Sequence, residues 1–566
     1  MLDLNGHNID RGLTSAKADG NVFTVKRNLT VTDSSENQSG MIKGGRNRFN
    51  GGGVYVDGGS FTMTGGSVSY NTAEHGGGGV YVFRGSFTMS GGSVSDNTAL
   101  DGGGIYVNNG NFNVFGTPRI TGNVKGGTIS NGVLSGGTTE NVYLKSGKVV
   151  TVTGELTDAA SIGVTMQTPG VFTSGLSGNG TAANFVSDST AYAAGLVNGE
   201  AKLDVPYNVT IADTIRYGSA AAEKTRAIAG ETVTLTVTPD AGYELGTLTY
   251  SYTKTGEEEL TTETVPSGSI SQNKETGVYT ATFEMPAYPV TVNATFTINS
   301  NDFKKTDDNE YTIYTAGGWN VFCDLLADND KGIFDGKTVK LDGSIEVSRM
   351  AGSSHHDFTG TFNGQGKTLT VNYTATEQYA APFRNVENGC VIENLHVAGT
   401  ITTSSQNAAG IAGNQFGTVI IRNCRVSVTI RSSVAGDGTH GGLVAVKGNS
   451  NSANLTIENC VFDGKIVSTG TSATTKCGGF VGWKKDKGTL TITNSIYAPT
   501  ADDNAVIDGE TFARNWTMPQ NANCYYTATL GDAQGEFIGL LTLPDGVTAS
   551  AAEGDTVSYD GKQESA

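Results

Sequence analysis

Proline is scarce in this chain, 11 residues in 566, and charged residues make up only 16%. Disordered polypeptides are usually rich in one or both, so the chain is expected to fold. Cysteine is scarce too. Six residues with no Cys-x-x-Cys pair are too few for a disulfide-dense scaffold and offer no thiolate pair to a metal. No apolar run is long enough to span a bilayer, and no charged-then-apolar leader opens the sequence, so membrane insertion is not expected. Basic residues number 37 against 55 acidic ones and form no long run or stripe. That argues against nucleic acid and against electrostatic docking on anionic lipid. A net charge of −18 suits a soluble surface module that resists self-association. Met1 precedes Leu2-Asp3-Leu4-Asn5-Gly6-His7, which reads as the interior of a strand and turn; the polypeptide is expected to continue past both ends.

Glycine is abundant, at 79 residues, and it recurs in a pattern. Gly51-Gly52-Gly53-Val54-Tyr55-Val56 returns at Gly77 and again, with Ile105 for valine, at Gly102, giving spacings of 77 − 51 = 26 and 102 − 77 = 25. Phe61-Thr62-Met63-Thr64-Gly65-Gly66-Ser67-Val68-Ser69 returns as Phe87 to Ser95. Each unit holds three short alternating segments divided by glycine-rich corners, which is one coil of a three-sided parallel β-helix. Period-2 alternation places Val54 and Val56 on one face and Tyr55 on the other. Stacked coils then turn single residues into columns: Phe61, Phe87 and Phe112 inside, and Asn71, Asn97 and Asn123 as an amide ladder at a corner. The unit degrades beyond Asn123, though residues 141–144, 148–154 and 161–166 remain strand-like, and residues 171–204 are expected to cap the stack.

A different pattern begins near residue 205, with longer strands at 231–238 and 290–296 and a Pro239-Asp240-Ala241-Gly242 turn. From about residue 301 a second repeat appears. Val391-Ile392-Glu393-Asn394, Ile420-Ile421-Arg422-Asn423, Thr456-Ile457-Glu458-Asn459 and Thr491-Ile492-Thr493-Asn494 align, with asparagines 29, 36 and 35 residues apart (423 − 394, 459 − 423, 494 − 459). The expected fold is all-β: two right-handed parallel β-helix blocks, 1–204 and 301–535, separated by a small antiparallel β domain, 205–300, with a C-terminal extension, 536–566.

The glycine-valine-tyrosine units resemble the pectin-lyase-like right-handed β-helix of bacterial surface proteins. Gly441-Gly442-Leu443-Val444 and its relatives resemble the GLUG motif of secreted bacterial proteins, and Ala229-Gly230-Glu231-Thr232-Val233-Thr234-Leu235 resembles the internalin-type B repeat, a wall-protein spacer. These resemblances imply an extracellular location, secreted or attached to the cell surface. Leu543-Pro544-Asp545-Gly546-Val547 departs from the sorting signal of such proteins at its last two positions.

Catalytic chemistry is hard to find. The hydrolases of this superfamily carry an adjacent aspartate pair and a Gly-His-Gly; Asp307-Asp308 and Asp502-Asp503 lie in linking segments, and Gly438-Thr439-His440-Gly441 is a loose echo. His355-His356-Asp357 holds ligand types for zinc, but adjacent strand residues face opposite ways, and it reads as a polar loop. Glu257-Glu258-Glu259 reads as a solvated hairpin tip. No catalytic residue, metal ligand or cofactor is assigned. Cys424 and Cys460 sit at equivalent places in consecutive units, near enough for a disulfide, although two buried free thiols fit better. One surface feature stands out: Tyr55, Tyr81, Tyr106 and Tyr143 should form an outward aromatic column, suited to a glycan or host-protein ligand or simply to stacking on itself. The expected function is a non-catalytic adhesin or binding module. A polysaccharide lyase or glycoside hydrolase and a structural stalk are the alternatives.

Overall fold

The computed structural model describes residues 1–328, 332–353, 356–470, 472–500 and 508–538, together with the backbone of Thr556–Tyr559 and Lys562–Ser565. Strands dominate, and Ala316–Ala327 is the single α-helix among the described residues. The chain divides into two compact units: Met1–Ile215 with Ser219–Thr238 and Thr247–Ala294, and Arg216–Gly218 with Pro239–Gly246 and Thr295–Ala566.

In the first unit the repeat becomes a stack. Val54–Met63 runs parallel to Phe23–Val25 and Asn28–Thr32 on one side and to Val80–Met89 on the other. The register continues into Ile105–Val107 and Asn111–Gly116, then into Val142–Leu144 and Val150–Leu156. Val54, Val56, Phe61, Met63 and their equivalents in the next coil are fully buried, as the alternation requires. The Phe61, Phe87 and Phe112 rings stack with centroids 4.8 and 5.3 Å apart. Val54–Met63 is one continuous strand that runs through Gly58-Gly59, so the first two alternating segments of the unit are not divided by a corner there. Gly58, at φ +86°, takes up the irregularity while pairing resumes at Ser60.

Asn71, Asn97 and Asn123 are completely buried and joined head to tail. The backbone N–H and side-chain amide of Asn71 both donate to Asn97 Oδ1 (3.0 and 3.1 Å), and those of Asn97 donate to Asn123 Oδ1 (3.1 and 2.9 Å). Asn123 continues to Asn141, which donates to both carboxylate oxygens of Asp188. Every dipole in the row points the same way, toward a carboxylate, so each bond polarises the next. Beyond this, Thr173–Ser174 and Phe185–Ser187 add the last parallel rungs, and the antiparallel hairpin Ala193–Val197 and Glu200–Asp204 follows. Residues 206–298 form two smaller sheets. Thr232–Pro239 lies antiparallel to Tyr279–Glu284, whereas Pro206–Ile211 runs parallel to Val290–Ile298.

In the second unit, successive turns of chain feed three parallel ladders. One carries Ile392, Ile421, Ile457 and Ile492 in register. A second carries Val397, Val426 and Phe462, and a third Phe383, Ala412, Val444 and Val481. All eleven of these side chains are buried. Asn394, Asn423, Asn459, Asn494 and Asn523 hold φ values between +49° and +53°, a left-handed turn that asparagine tolerates better than most residues. Their amides bond from coil to coil, 3.2 Å from Asn423 to Asn394, from Asn459 to Asn423 and from Asn523 to Asn494. The helix Ala316–Ala327 was not foreseen. Thr315 caps it by accepting from the Gly318 N–H, and Trp319 and Phe322 enter the same core as Phe362 and Phe383.

All six cysteines are free and buried, Cys424 and Cys460 among them. Burial pushes the thiols of Cys323 and Cys477 up to about 12 and that of Cys524 up to about 11. Because all six are buried, a thiol reagent is expected to label none of them in the folded protein at neutral pH and all six after denaturation. Rapid labelling of any one in native buffer, followed by mass spectrometry, would contradict this packing.

Candidate binding face

The tyrosine column forms as the alternation requires. Tyr55, Tyr81, Tyr106 and Tyr143 occupy the same rung of consecutive coils, each between two inward aliphatic residues. Ring centroids lie 5.6, 5.1 and 4.9 Å apart, with interplanar angles of 3°, 29° and 32°. Parallel pairing fixes this geometry, because it places identical residues one strand spacing apart. At one end Phe83 stacks on Tyr55, and Arg84 lies over Phe83 while pairing with Asp57 at 2.8 Å. Gly76 lies against the column: a Cβ there would meet Tyr106 at 2.9 Å and Tyr81 at 3.1 Å, so only glycine fits beneath the rings.

This geometry changes what the column can do. The ring faces are turned on one another, and Tyr81 is only 8% exposed, so no row of open faces awaits a sugar. What stays accessible is a row of partly exposed ring edges at Tyr55, Tyr106 and Tyr143, interrupted at the buried Tyr81. Burial raises the Tyr81 phenol to about 12 and lifts those of Tyr55, Tyr106 and Tyr143 as well. All four stay protonated at neutral pH and can donate hydrogen bonds.

The other motifs are distributed. His440 is fully buried, its Nε2 2.7 Å from Ser432 Oγ and its Nδ1 without a partner, so the Gly438–Gly441 echo cannot reach a substrate. Burial drives its imidazole down to about 3. With an unfolded value near 6.5, the unfolded chain binds the extra proton between those limits, so stability is expected to fall as pH drops from about 6.5 to about 3, by on the order of 5 kcal/mol. A His440→Gln variant should flatten that part of the acid-denaturation curve; an unchanged slope would contradict the assignment. Asp308 pairs with Lys305 at 2.9 Å in an exposed turn, and Glu257, Glu258 and Glu259 are exposed. His356 Nδ1 lies 2.8 Å from Ser353 Oγ. His355, Asp502, Asp503 and Leu543–Val547 lie outside the described residues. Among the described residues, no three His, Cys, Asp or Glu side chains converge as a metal site.

One polar network was not anticipated. His396 Nε2 lies 2.9 Å from Ser427 Oγ, and Ser427 donates to Asp463 at 2.6 Å. Arg425 grips the same carboxylate through Nε and Nη2, at 2.9 and 2.6 Å. The serine stands between imidazole and carboxylate, so its proton is committed to Asp463 and not to a general base. Counting from the corner asparagines would have aligned it: His396 is two residues past Asn394 and Arg425 two past Asn423, while Ser427 and Asp463 are four past Asn423 and Asn459.

No family model matches the chain, and no curated protein matches it. Among solved structures, the chain is similar to a candidate immunoglobulin A1 protease from Bacteroides ovatus, at 17% identity over 42% of this chain and 84% of that one, with a TM-score of 0.27. A likeness at that level carries no argument for activity or substrate, and the functional reading rests on geometry.

Proposed function

We propose that the chain is a non-catalytic, extracellular binding module of a bacterial surface protein, an adhesin in which rigid stacked coils display a ligand-reading face. The right-handed β-helix, GLUG-like and B-repeat-like resemblances support that setting. The observation that carries the reading is the stacked tyrosine row at coil spacing on the first unit, partly exposed at Tyr55, Tyr106 and Tyr143. Rigid phenols offer hydrogen-bonding groups at low entropic cost, and their row matches an extended chain, glycan or protein, lying along the stack. Three carboxylates on the second unit are held by partners: Glu393 by Arg422 and Asn363, Asp463 by Arg425 and Ser427, and Asp437 by Arg514. That favours binding over acid–base chemistry on a polysaccharide.

The test is a glycan and host-protein array probed with the wild type and with a Tyr55→Phe/Tyr106→Phe/Tyr143→Phe variant. The substitutions keep the stacked rings and remove only hydroxyls. A ligand retained by the wild type and lost by the variant supports the reading. Equal binding by both shows that the column serves only to stack, and no binding to any array feature leaves a stalk.

A further inference from the structure

The sheet that contains Val444–Lys447 ends at Val481–Lys484. Beyond it no further strand joins, but the segment from Phe512 still bonds along Val481–Lys484: the Val481 N–H donates to the Phe512 carbonyl, the Arg514 N–H to the Val481 carbonyl and the Lys484 N–H to the Arg514 carbonyl, and the chain turns away at Asn515, at φ +62°. This end of the sheet carries Trp483, 37% exposed, with the Arg514 guanidinium 5.5 Å and the Lys485 ammonium 5.4 Å from its ring centre. Lys484 and Lys487 flank it in the run Trp483-Lys484-Lys485-Asp486-Lys487. Beneath lies Lys447, fully buried, its Nζ held by the carbonyls of Gly448 and Lys487. Burial and the charge of Lys484 push that ammonium down to about 8, as expected where positive charge is crowded. Two carboxylates offset the cluster: Asp437 pairs with Arg514 at 2.6 Å, and Asp486 accepts from Asn515 at 3.4 Å. Lys484, Lys485 and Lys487 have no carboxylate partner among the ion pairs of the described residues.

A net-positive aromatic edge is out of character in a chain of charge −18. A polyanion is repelled by most of such a surface and drawn to a place where the sign reverses. We propose that the Trp483 edge binds an anionic polysaccharide, with Lys484, Lys485 and Lys487 meeting its sulfate or carboxylate groups and Trp483 holding the cations in place and offering its exposed ring edge to the sugar. Lys484, Lys485 and Lys487 sit on a single coil, too short a stripe to track a nucleic-acid backbone. The site is independent of the tyrosine face, and each stands or falls alone.

Affinity electrophoresis of the full chain through gels containing dextran sulfate, hyaluronate or neutral dextran tests it. Retardation is expected in one or both polyanion gels and not in dextran; the sulfate-only and carboxylate-only arms tell which group is read. Lys484→Gln/Lys485→Gln/Lys487→Gln should abolish the retardation, and Trp483→Ala should weaken it roughly tenfold, with circular dichroism unchanged. Added salt should weaken it as well. Lysines also blunt exposed strand edges against self-pairing. If that is their only task, the triple variant will self-associate while its retardation stays that of the wild type, which would overturn the proposal. So would the absence of retardation in both polyanions, or tighter retention by single-stranded DNA than by either glycan.

Discussion

Asn97→Ala is expected to destabilise the first unit by about 3 kcal/mol, although the side chain removed is small and polar. Asn97 Oδ1 accepts both donors of Asn71, and its amide donates to the carbonyls of Val68 (2.8 Å) and Ser95 (2.9 Å) and to Asn123 Oδ1. Alanine makes none of these bonds. It leaves the Asn71 N–H without its acceptor and takes a donor from the Val68 carbonyl in a corner closed to water, while the Asn71 amide keeps the carbonyls of Ile42 and Ser69; an orphaned buried polar group costs roughly 1–3 kcal/mol. Asn97→Asp keeps the acceptor, loses the donors and buries a charge, so it should not rescue. Urea denaturation read by circular dichroism gives the difference directly. A loss below about 0.5 kcal/mol, the usual range of a surface substitution, would show that the ladder is decoration.

Phe87→Ala should cost more, about 3–5 kcal/mol. Its ring is fully buried between Phe61 and Phe112, and in a stack where each coil packs mainly on its neighbours no other side chain can swing in to fill the gap. Phe87→Leu retains most of the apolar volume and should cost less than half as much. Equal costs for the two variants would mean that the rings do not form the continuous interior column.

Where the repeat was regular, the sequence was enough. Strand alternation and a 25–26-residue period place Phe61, Asn71, Val54 and Tyr55, because in-register parallel pairing leaves one neighbour for each residue. The readings that failed were those where geometry depends on something the period does not encode. The glycine pair at Gly58-Gly59 looked like a corner, yet glycine allows a bulge as readily as a turn, and the pairing decided between them. The helix Ala316–Ala327 hid behind Gly317-Gly318, poor helix formers that the Thr315 cap and the buried Trp319 and Phe322 outweigh. In the tyrosine column the positions were legible but the availability was not: alternation places a ring on the outer face without saying whether its face is open or covered by the next ring. The His396–Ser427–Asp463 network and the Trp483 edge draw on residues from different coils of variable length. Only a register counted from the asparagines could have assembled the first, and only the end of a sheet exposes the second.

The most direct test of the stacked-coil arrangement is a register cross-link. Ser60 and Ser86 face each other on adjacent strands with their hydroxyls 3.3 Å apart, whereas Thr88 pairs with Thr62. Paired parallel strands put backbones about 4.8 Å apart, within the range a disulfide accepts. Ser60→Cys/Ser86→Cys is expected to oxidise to a disulfide in the folded protein, mapped by peptide mass spectrometry, while Ser60→Cys/Thr88→Cys stays reduced. Failure of the first pair to bridge in a folded protein, or preferential bridging of the second, would contradict the register on which the rest is built.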